Sequence, residues 1–300
     1  MDIYKNITAK NRFLSEWHKR LNHIYSDFNL DYDYKILEEY NNLLKVKLTI
    51  IKSFCLAHTS TEKITSASIN SYLLVIDGSD EKSPDIIIII SQEENPLLYD
   101  KYIDTNLSLI NTVNFKKIIS DNTLFWEYRL KNISSIYDIF SKSLNILPQS
   151  RVNSSEFNIK NACSYAERFA LVPNPDYINY DKSGGDCTNF VSQILHAGGI
   201  SYSKLWKPYT NSWLRVGELY NYIISNKLGV KLPDNSPFQK GCMIQFFTPK
   251  KGYYFHSGFI THVLPFNEAF YCCHSYNKLN YPLSEIYPVI YPGLRCVALN

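Results

Sequence analysis

Gly184-Gly185-Asp186-Cys187-Thr188-Asn189-Phe190-Val191-Ser192-Gln193 sets one cysteine at the first turn of a helix, directly behind a diglycine. From Cys187 to Ala197 the apolar residues Phe190, Val191, Ile194 and Leu195 recur at one-, three- and four-residue spacings. That is the stripe of a helix packed on a core, and Gly198-Gly199 supplies its stop. A helix start offers unpaired N–H groups and the positive end of the helix dipole. The position therefore predicts a lowered thiol pKa, favouring the thiolate that attacks carbonyl carbon. Cysteine is also among the most often buried residue types, so the local sequence equally fits Cys187 as a small core hydrophobe.

A nucleophilic thiol needs a base within hydrogen-bond reach and a third group that orients the base. Downstream, His256 opens a strand-like run whose next same-side residue is Gly258, small enough to let another element lie close. His274 closes the following run, across the turn Pro265-Phe266-Asn267-Glu268. Two adjacent antiparallel strands would thus present two imidazoles side by side, the layout of a Cys-His-His relay. His262 shares the face of His256 but lies nearer the turn, which makes it the lesser candidate for the base. His196 is at the far end of the cysteine helix, about 13 Å from Cys187 at 1.5 Å per residue, where it would cap the helix C-terminus. Cys272-Cys273-His274 does not read as a metal site, because adjacent strand residues point to opposite faces. No metal and no cofactor are expected.

With 300 residues, 45% hydrophobic and 15% aromatic, the chain can bury a substantial core and reads as two domains. A net charge of +3 with scattered Lys and Arg gives no nucleic-acid footprint. Seven cysteines, an odd number without repeated Cys-x-x-Cys spacing, read as reduced thiols. The N-terminus lacks the apolar segment of a signal peptide. The most apolar run, Ile86 to Ile90, is far short of the ~20 residues of a membrane helix. These features lead to the expectation of a soluble, cytoplasmic protein with no membrane partner.

The fold class expected is α+β. Residues 9 to 45 read as helical, with Phe13, Trp17, Leu21 and Ile24 on one stripe and Ile36, Leu37, Tyr40, Leu43 and Leu44 on another. Strands are expected at Leu48 to Leu56, Ser71 to Ile76, Ile86 to Ile90 and Leu124 to Leu130. Together these make an N-terminal domain over 1–150, a helical plus antiparallel-sheet unit suited to docking a substrate or partner; its His18, His23 and His58 read as structural. A boundary falls near Leu147-Pro148-Gln149-Ser150, and Asn153 to Glu156 resembles a helix start. The second domain, 151–300, would hold a helix from Phe157 to Ala170, the cysteine helix and an amphipathic segment from Trp213 to Ile224. Strands at Cys242 to Phe247, Ser257 to Leu264, Ala269 to Ser275 and Leu294 to Ala298 complete it.

Three groups of residues resemble one family in the same order: Asp186 to Gln193 with His196-Ala197-Gly198-Gly199-Ile200 and Trp213; Gly241 to Phe246; and His256 to Thr261 with His274-Ser275-Tyr276-Asn277. The family is the bacterial putative amidase domain family of the papain-like clan, which includes the NlpC/P60 and CHAP hydrolases, and the resemblance covers about residues 157 to 300. It implies a cysteine-bearing helix packed on an antiparallel sheet bearing the histidine. It makes Cys187 the nucleophile, His256 the base and His274 the orienting group, with Asn277 as the alternative third member. Asp186 resembles the acidic partner of the NlpC/P60 Asp-Cys pair, which would hold a substrate amine, or else is the N-cap of the helix. Tyr180 stands where the clan places oxyanion-hole groups, and Trp213 is carried over as a substrate-side residue.

The chemistry implied is acyl transfer through a thioester on Cys187, passed to water by an amidase or peptidase, or to an amine in amide formation. Peptides, amides and thioester-linked acyl groups, including those on a carrier protein, are the matching substrates. A peptidoglycan amidase or endopeptidase and a catalytically silent binding module are the competing readings. Relatives are often exported to the cell wall, whereas no leader is read here.

Overall fold

A computed structural model describes residues 3–57, 63–80, 82, 84–110, 112–144, 157–181, 183–264 and 268–300. The chain divides into two compact units, one running to Ser135 and the other from Ile136 onward, with the start of the third strand, up to Ser68, belonging to the second. The polar break at 147–150, the helix start at 153–156 and His58 lie outside the described residues.

In the first unit, helix α1 (Ile3–Leu21) buries Phe13, Trp17 and Leu21. The second helical stripe expected before residue 45 is instead a β-hairpin of β1 (Ile24–Tyr40) and β2 (Leu43–Ala57), paired antiparallel with Tyr32 opposite Ile50. The alternation Phe28, Leu30, Tyr32, Tyr34, Ile36 outweighs the helical spacing. The two-residue loop Asn41-Asn42 closes the hairpin with Asn41 in the left-handed region at φ 53°. Strands β3 (Lys63–Asp77) and β4 (Asp85–Ser91) follow. Leu73, Val75, Ile88 and Ile90 cluster with Tyr99 and Tyr102 of α2 (Pro96–Ile103). The expected strand at 124–130 is part of helix α3 (Thr112–Lys131); α4 (Ile133–Lys142) begins in this unit and runs from Ile136 in the second. The buried positions Ile119, Trp126 and Ile133 fall seven apart, two helical turns, which is why Phe125, Tyr128 and Leu130 fit one side of a strand so poorly.

The second unit places α5 (Ile159–Phe169), α6 (Cys187–Ala197), α7 (Asn211–Leu214) and α8 (Val216–Ser225) with an antiparallel sheet. Its strands are β5 (Gly229–Lys231), β6 (Met243–Thr248), β7 (Tyr253–Leu264), β8 (Glu268–Cys273), β9 (Lys278–Pro282) and β10 (Gly293–Leu299). The order is start of β3, β9, β8, β7, β6, β10, β5. The α+β expectation holds, and α6 has the bounds expected of it. The segment from Trp213 to Ile224 is two helices rather than one, broken at Arg215, which is extended at φ −109°, ψ 132°. β5 and β9 are too short to show a period.

Helix α6 is buried on every side from Cys187 to Leu195. Phe190, Val191, Ile194 and Leu195 meet Met243, Phe259, Cys272 and Val297 of the sheet in one core. Each such large side chain contributes about 1.5–3 kcal/mol through burial. The polar residues of α6 are therefore obliged to find partners. Ser192 donates to Trp213 O at 2.8 Å, and Gln193 accepts from the Tyr165 hydroxyl at 2.8 Å. The helix ends in a Schellman motif. Ile200 N donates to Leu195 O and Gly199 N to His196 O, with Gly199 at φ 108°.

Candidate active site

The start of α6 is built by its diglycine. Gly184 and Gly185 have φ of 103° and 105°, a region costly for any residue with a Cβ, and a Cβ on Gly185 would also press on Ser275 Oγ at 3.0 Å. The turn lets Gly185 N donate to Tyr180 O at 3.0 Å and delivers Asp186, 1% exposed, into the interior.

Asp186 occupies the N-cap position, but its side chain makes no cap hydrogen bond. Oδ1 accepts from Tyr180 N at 2.9 Å and from the Asn189 amide at 2.8 Å. Oδ2 lies 2.6 Å from His274 Nδ1. The network continues outward: Trp213 Nε1 donates to Asn189 Oδ1 at 2.7 Å, and His274 Nε2 donates to Phe169 O at 2.8 Å. The ring of His274 stacks on Phe190 at 3.8 Å and 5°. These contacts tie α5, α6, α7, the loop before Cys187 and the end of β8 together.

His274 is therefore engaged at both nitrogens and does not orient His256. Asn277 donates to Leu171 O at 3.5 Å, so it too is directed elsewhere. Asp186 and Trp213 are buried and spent on protein contacts, and Tyr180 uses its backbone to hold the loop. His262 bonds Glu167 of α5 at 2.6 Å. His196 bonds Ile200 O at 3.0 Å and stacks on Tyr202, just past the helix end.

Cys187 is 8% exposed. Burial pushes its thiol up from the ordinary value, opposed by the backbone N–H groups of Ser257 and Thr188 and by the Thr188 hydroxyl, while the Asp186 charge adds to the rise. The lowered pKa expected from the helix start is thus reversed. Desolvation of a thiolate inside a close-packed core outweighs a dipole equivalent to about half a charge.

His256, 3% exposed, lies beside Tyr276 at 5.0 Å and Phe246 at 5.6 Å between ring centroids. Burial, together with the positive charges of Lys278 and Lys251, lowers its pKa to about 3, so the imidazole is neutral at physiological pH. Its Nε2 is buried without a hydrogen-bond partner among the described residues. The strand alternates at this point. Ser257 Oγ faces Thr188 of α6 at 3.2 Å, and His256 turns to the other side of β7, opposite Phe246 of β6. Gly258 admits the close neighbour expected of it: a Cβ there would meet the Tyr271 ring of β8 at 2.9 Å. No hydrogen bond joins Cys187 to His256 among the described residues; Ser257, the residue next to His256, is linked to the thiol through Thr188, whose Oγ1 lies 3.7 Å from Sγ and 3.2 Å from Ser257 Oγ.

Spacing alone does not single out Thr188, which contacts the thiol, Ser257, which contacts Thr188, or Asn189, which couples Asp186 to Trp213. Their signal was present as polar side chains inside a helix and strand buried on both sides.

Residues 156–291 match the family model of the putative amidase domain. The match suggests amidase-type hydrolytic activity for this part of the chain. Two proteins of Bacillus subtilis (strain 168) are similar over short stretches. Uncharacterized protein YjcM is 51% identical over 63 residues, which is 21% of this chain and 15% of the relative. Uncharacterized protein YhbB is 34% identical over 80 residues, 23% of this chain and 25% of the relative. These alignments span a quarter or less of either relative's length. No solved structure matches the chain. Among the described residues no helix is long and apolar enough to cross a membrane.

Proposed function

We propose that the amidase-like part of the chain is a papain-like cysteine acyl-transfer enzyme in which Cys187 attacks the carbonyl carbon of an amide or thioester and carries the acyl group as a thioester. One observation supports this reading above the others: Cys187 opens the buried helix α6 with its Sγ 3.7 Å from the Thr188 hydroxyl, which lies 3.2 Å from Ser257 Oγ, and the residue before Ser257 is His256, a neutral imidazole whose Nε2 is buried and unpartnered among the described residues. A buried orphan nitrogen costs about 1–3 kcal/mol, a cost that a purely structural histidine would avoid.

The resting pair is neutral thiol and neutral imidazole. Attack then requires the thiol proton to pass to His256 as the sulfur–carbon bond forms, general-base catalysis rather than a standing ion pair. The imidazole must turn toward the sulfur for this. No Nε2 hydrogen bond among the described residues has to be broken. The N–H groups at the start of α6, those of Cys187 and Thr188, are the donors this reading assigns to the oxyanion of the tetrahedral intermediate. The leaving amine or thiol takes its proton from His256, and water or an amine then resolves the thioester. Water gives an amidase or peptidase; an amine gives a new amide bond, with a carrier-bound thioester as one possible donor.

Intact-mass spectrometry with a panel of amide and thioester donors tests the proposal. A mass gain equal to the acyl group, lost in Cys187→Ala and reduced in His256→Ala, is expected. No adduct and no turnover with any donor would overturn it. Adding simple amines separates aminolysis from hydrolysis.

A further inference from the structure

Arg295 of β10, paired with Gln245 of β6, which is paired with Ser257 of β7, is clamped between the rings of Tyr220 and Tyr254, 3.6 and 4.0 Å from their centroids. Its Nε donates to Gln245 Oε1 at 2.7 Å, and Nη2 donates to the same oxygen. A guanidinium has donors only, so the atom facing it must be the amide oxygen. The Gln245 Nε2 therefore points the other way. It donates to Val216 O at 2.8 Å, a carbonyl that can only accept, and to Ser257 Oγ at 3.3 Å. Two independent partners thus fix the same amide orientation.

The consequence runs into the site. Ser257 Oγ accepts from Gln245, which leaves its own proton for Thr188 Oγ1 at 3.2 Å. Thr188 in turn has its proton available for Cys187 Sγ at 3.7 Å. We infer that Arg295, Gln245, Ser257 and Thr188 form a one-way donor relay that points a hydroxyl proton at Cys187 and stabilises its thiolate as it forms. The inference rests on the reading of Cys187 as the nucleophile. It adds positioning residues that never touch the substrate.

The relay opposes two unfavourable neighbours. Burial disfavours the thiolate, and so does the charge of Asp186, which is itself held by His274. His256 of β7 is neutral and adds no charge beside the site. A donor fixed in advance costs no reorganisation when charge develops on sulfur. Gln245 is the polarity-setting member: a glutamate there would present acceptors to Ser257, turn the serine proton away from Thr188 and withdraw the donor from sulfur.

The test is the pH dependence of iodoacetamide alkylation at Cys187 in the full chain, read on the Cys187 peptide by mass spectrometry. Thr188→Val and Gln245→Glu are each expected to raise the apparent thiol pKa by about one unit, a tenfold loss of rate below that pKa. Thr188→Ser, which keeps the hydroxyl, is expected to restore the wild-type profile. Unchanged profiles in Thr188→Val and Gln245→Glu overturn the relay, and so does failure of Thr188→Ser to restore. If Gln245→Glu does not fold, Thr188→Val against Thr188→Ser decides alone. The alkylation readout needs no substrate, so a wild-type protein inactive on every donor would sink the proposed function while leaving the relay standing.

Discussion

Asp186 and His274 lie 2.6 Å apart with side chains 1% exposed, and they close the loop before Cys187 onto the end of β8. Because His274 also donates to a carbonyl, one proton must lie between its Nδ1 and the Asp186 carboxyl. Removing one member of such a buried pair leaves the other uncompensated, at about 3–5 kcal/mol. Asp186→Ala is expected to lower stability by that order, measured as a reduced urea midpoint. A substrate-binding role for Asp186 would instead raise KM with the midpoint unchanged.

The helix bearing Cys187 was legible because its apolar spacing, its diglycine and its terminal glycines agree. The hairpin of β1 and β2 was not, since Ile36, Leu37 and Tyr40 satisfy a helical spacing and only the preceding run from Phe28 to Ile36 shows the period of two. At the site, Cys187 and His256 were legible as residue types on the right elements. The engagement of His274 by Asp186 was not, because residues 88 apart in sequence meet only through the packing of β8 on α6 and Phe190. Nor could spacing reveal that burial governs the thiol, since a stripe marks one buried face and α6 is buried on all of them.

Gly198 is at φ −76°, so its glycine is required by a neighbour rather than by its backbone: a Cβ would fall 2.1 Å from the Phe157 ring. Gly198→Ala is expected to destabilise by about 1–3 kcal/mol through overpacking. In a Phe157→Leu background the added cost should shrink, a coupling read by a double-mutant cycle of denaturation midpoints. Additive effects would count against the ring as the cause.

Glu268 is fully buried, with Ala269 N and Ser284 N donating to its Oε1 at 2.8 and 3.2 Å, and its pKa is pushed up to about 8 by burial. The folded protein therefore holds a proton that the unfolded chain releases near the ordinary value of 4.5. The contribution to stability is full below that value and is lost as pH rises through 8. The urea midpoint should fall as pH rises from 4.5 to about 8 and level off above that, and Glu268→Gln should flatten that fall. An equal fall in the variant would assign it to other groups.

His256 carries the opposite sign. Its folded pKa of about 3 lies below the ordinary 6.5, so its contribution to stability is present above 6.5 and is lost as pH falls through 3. The neutral imidazole also sets the shape of catalysis. With a neutral thiol and a neutral base, kcat/KM should stay level across about pH 5 to 8, with no inflection at the ordinary histidine value. Alkylation of Cys187 by iodoacetamide should be slow over that same window and rise only at higher pH, because the free thiolate is scarce there. A standing thiolate–imidazolium pair would share the level kcat/KM profile but would alkylate rapidly at pH 5 to 6. Rapid alkylation in acid would therefore exclude the neutral pair, and the two curves must be measured together.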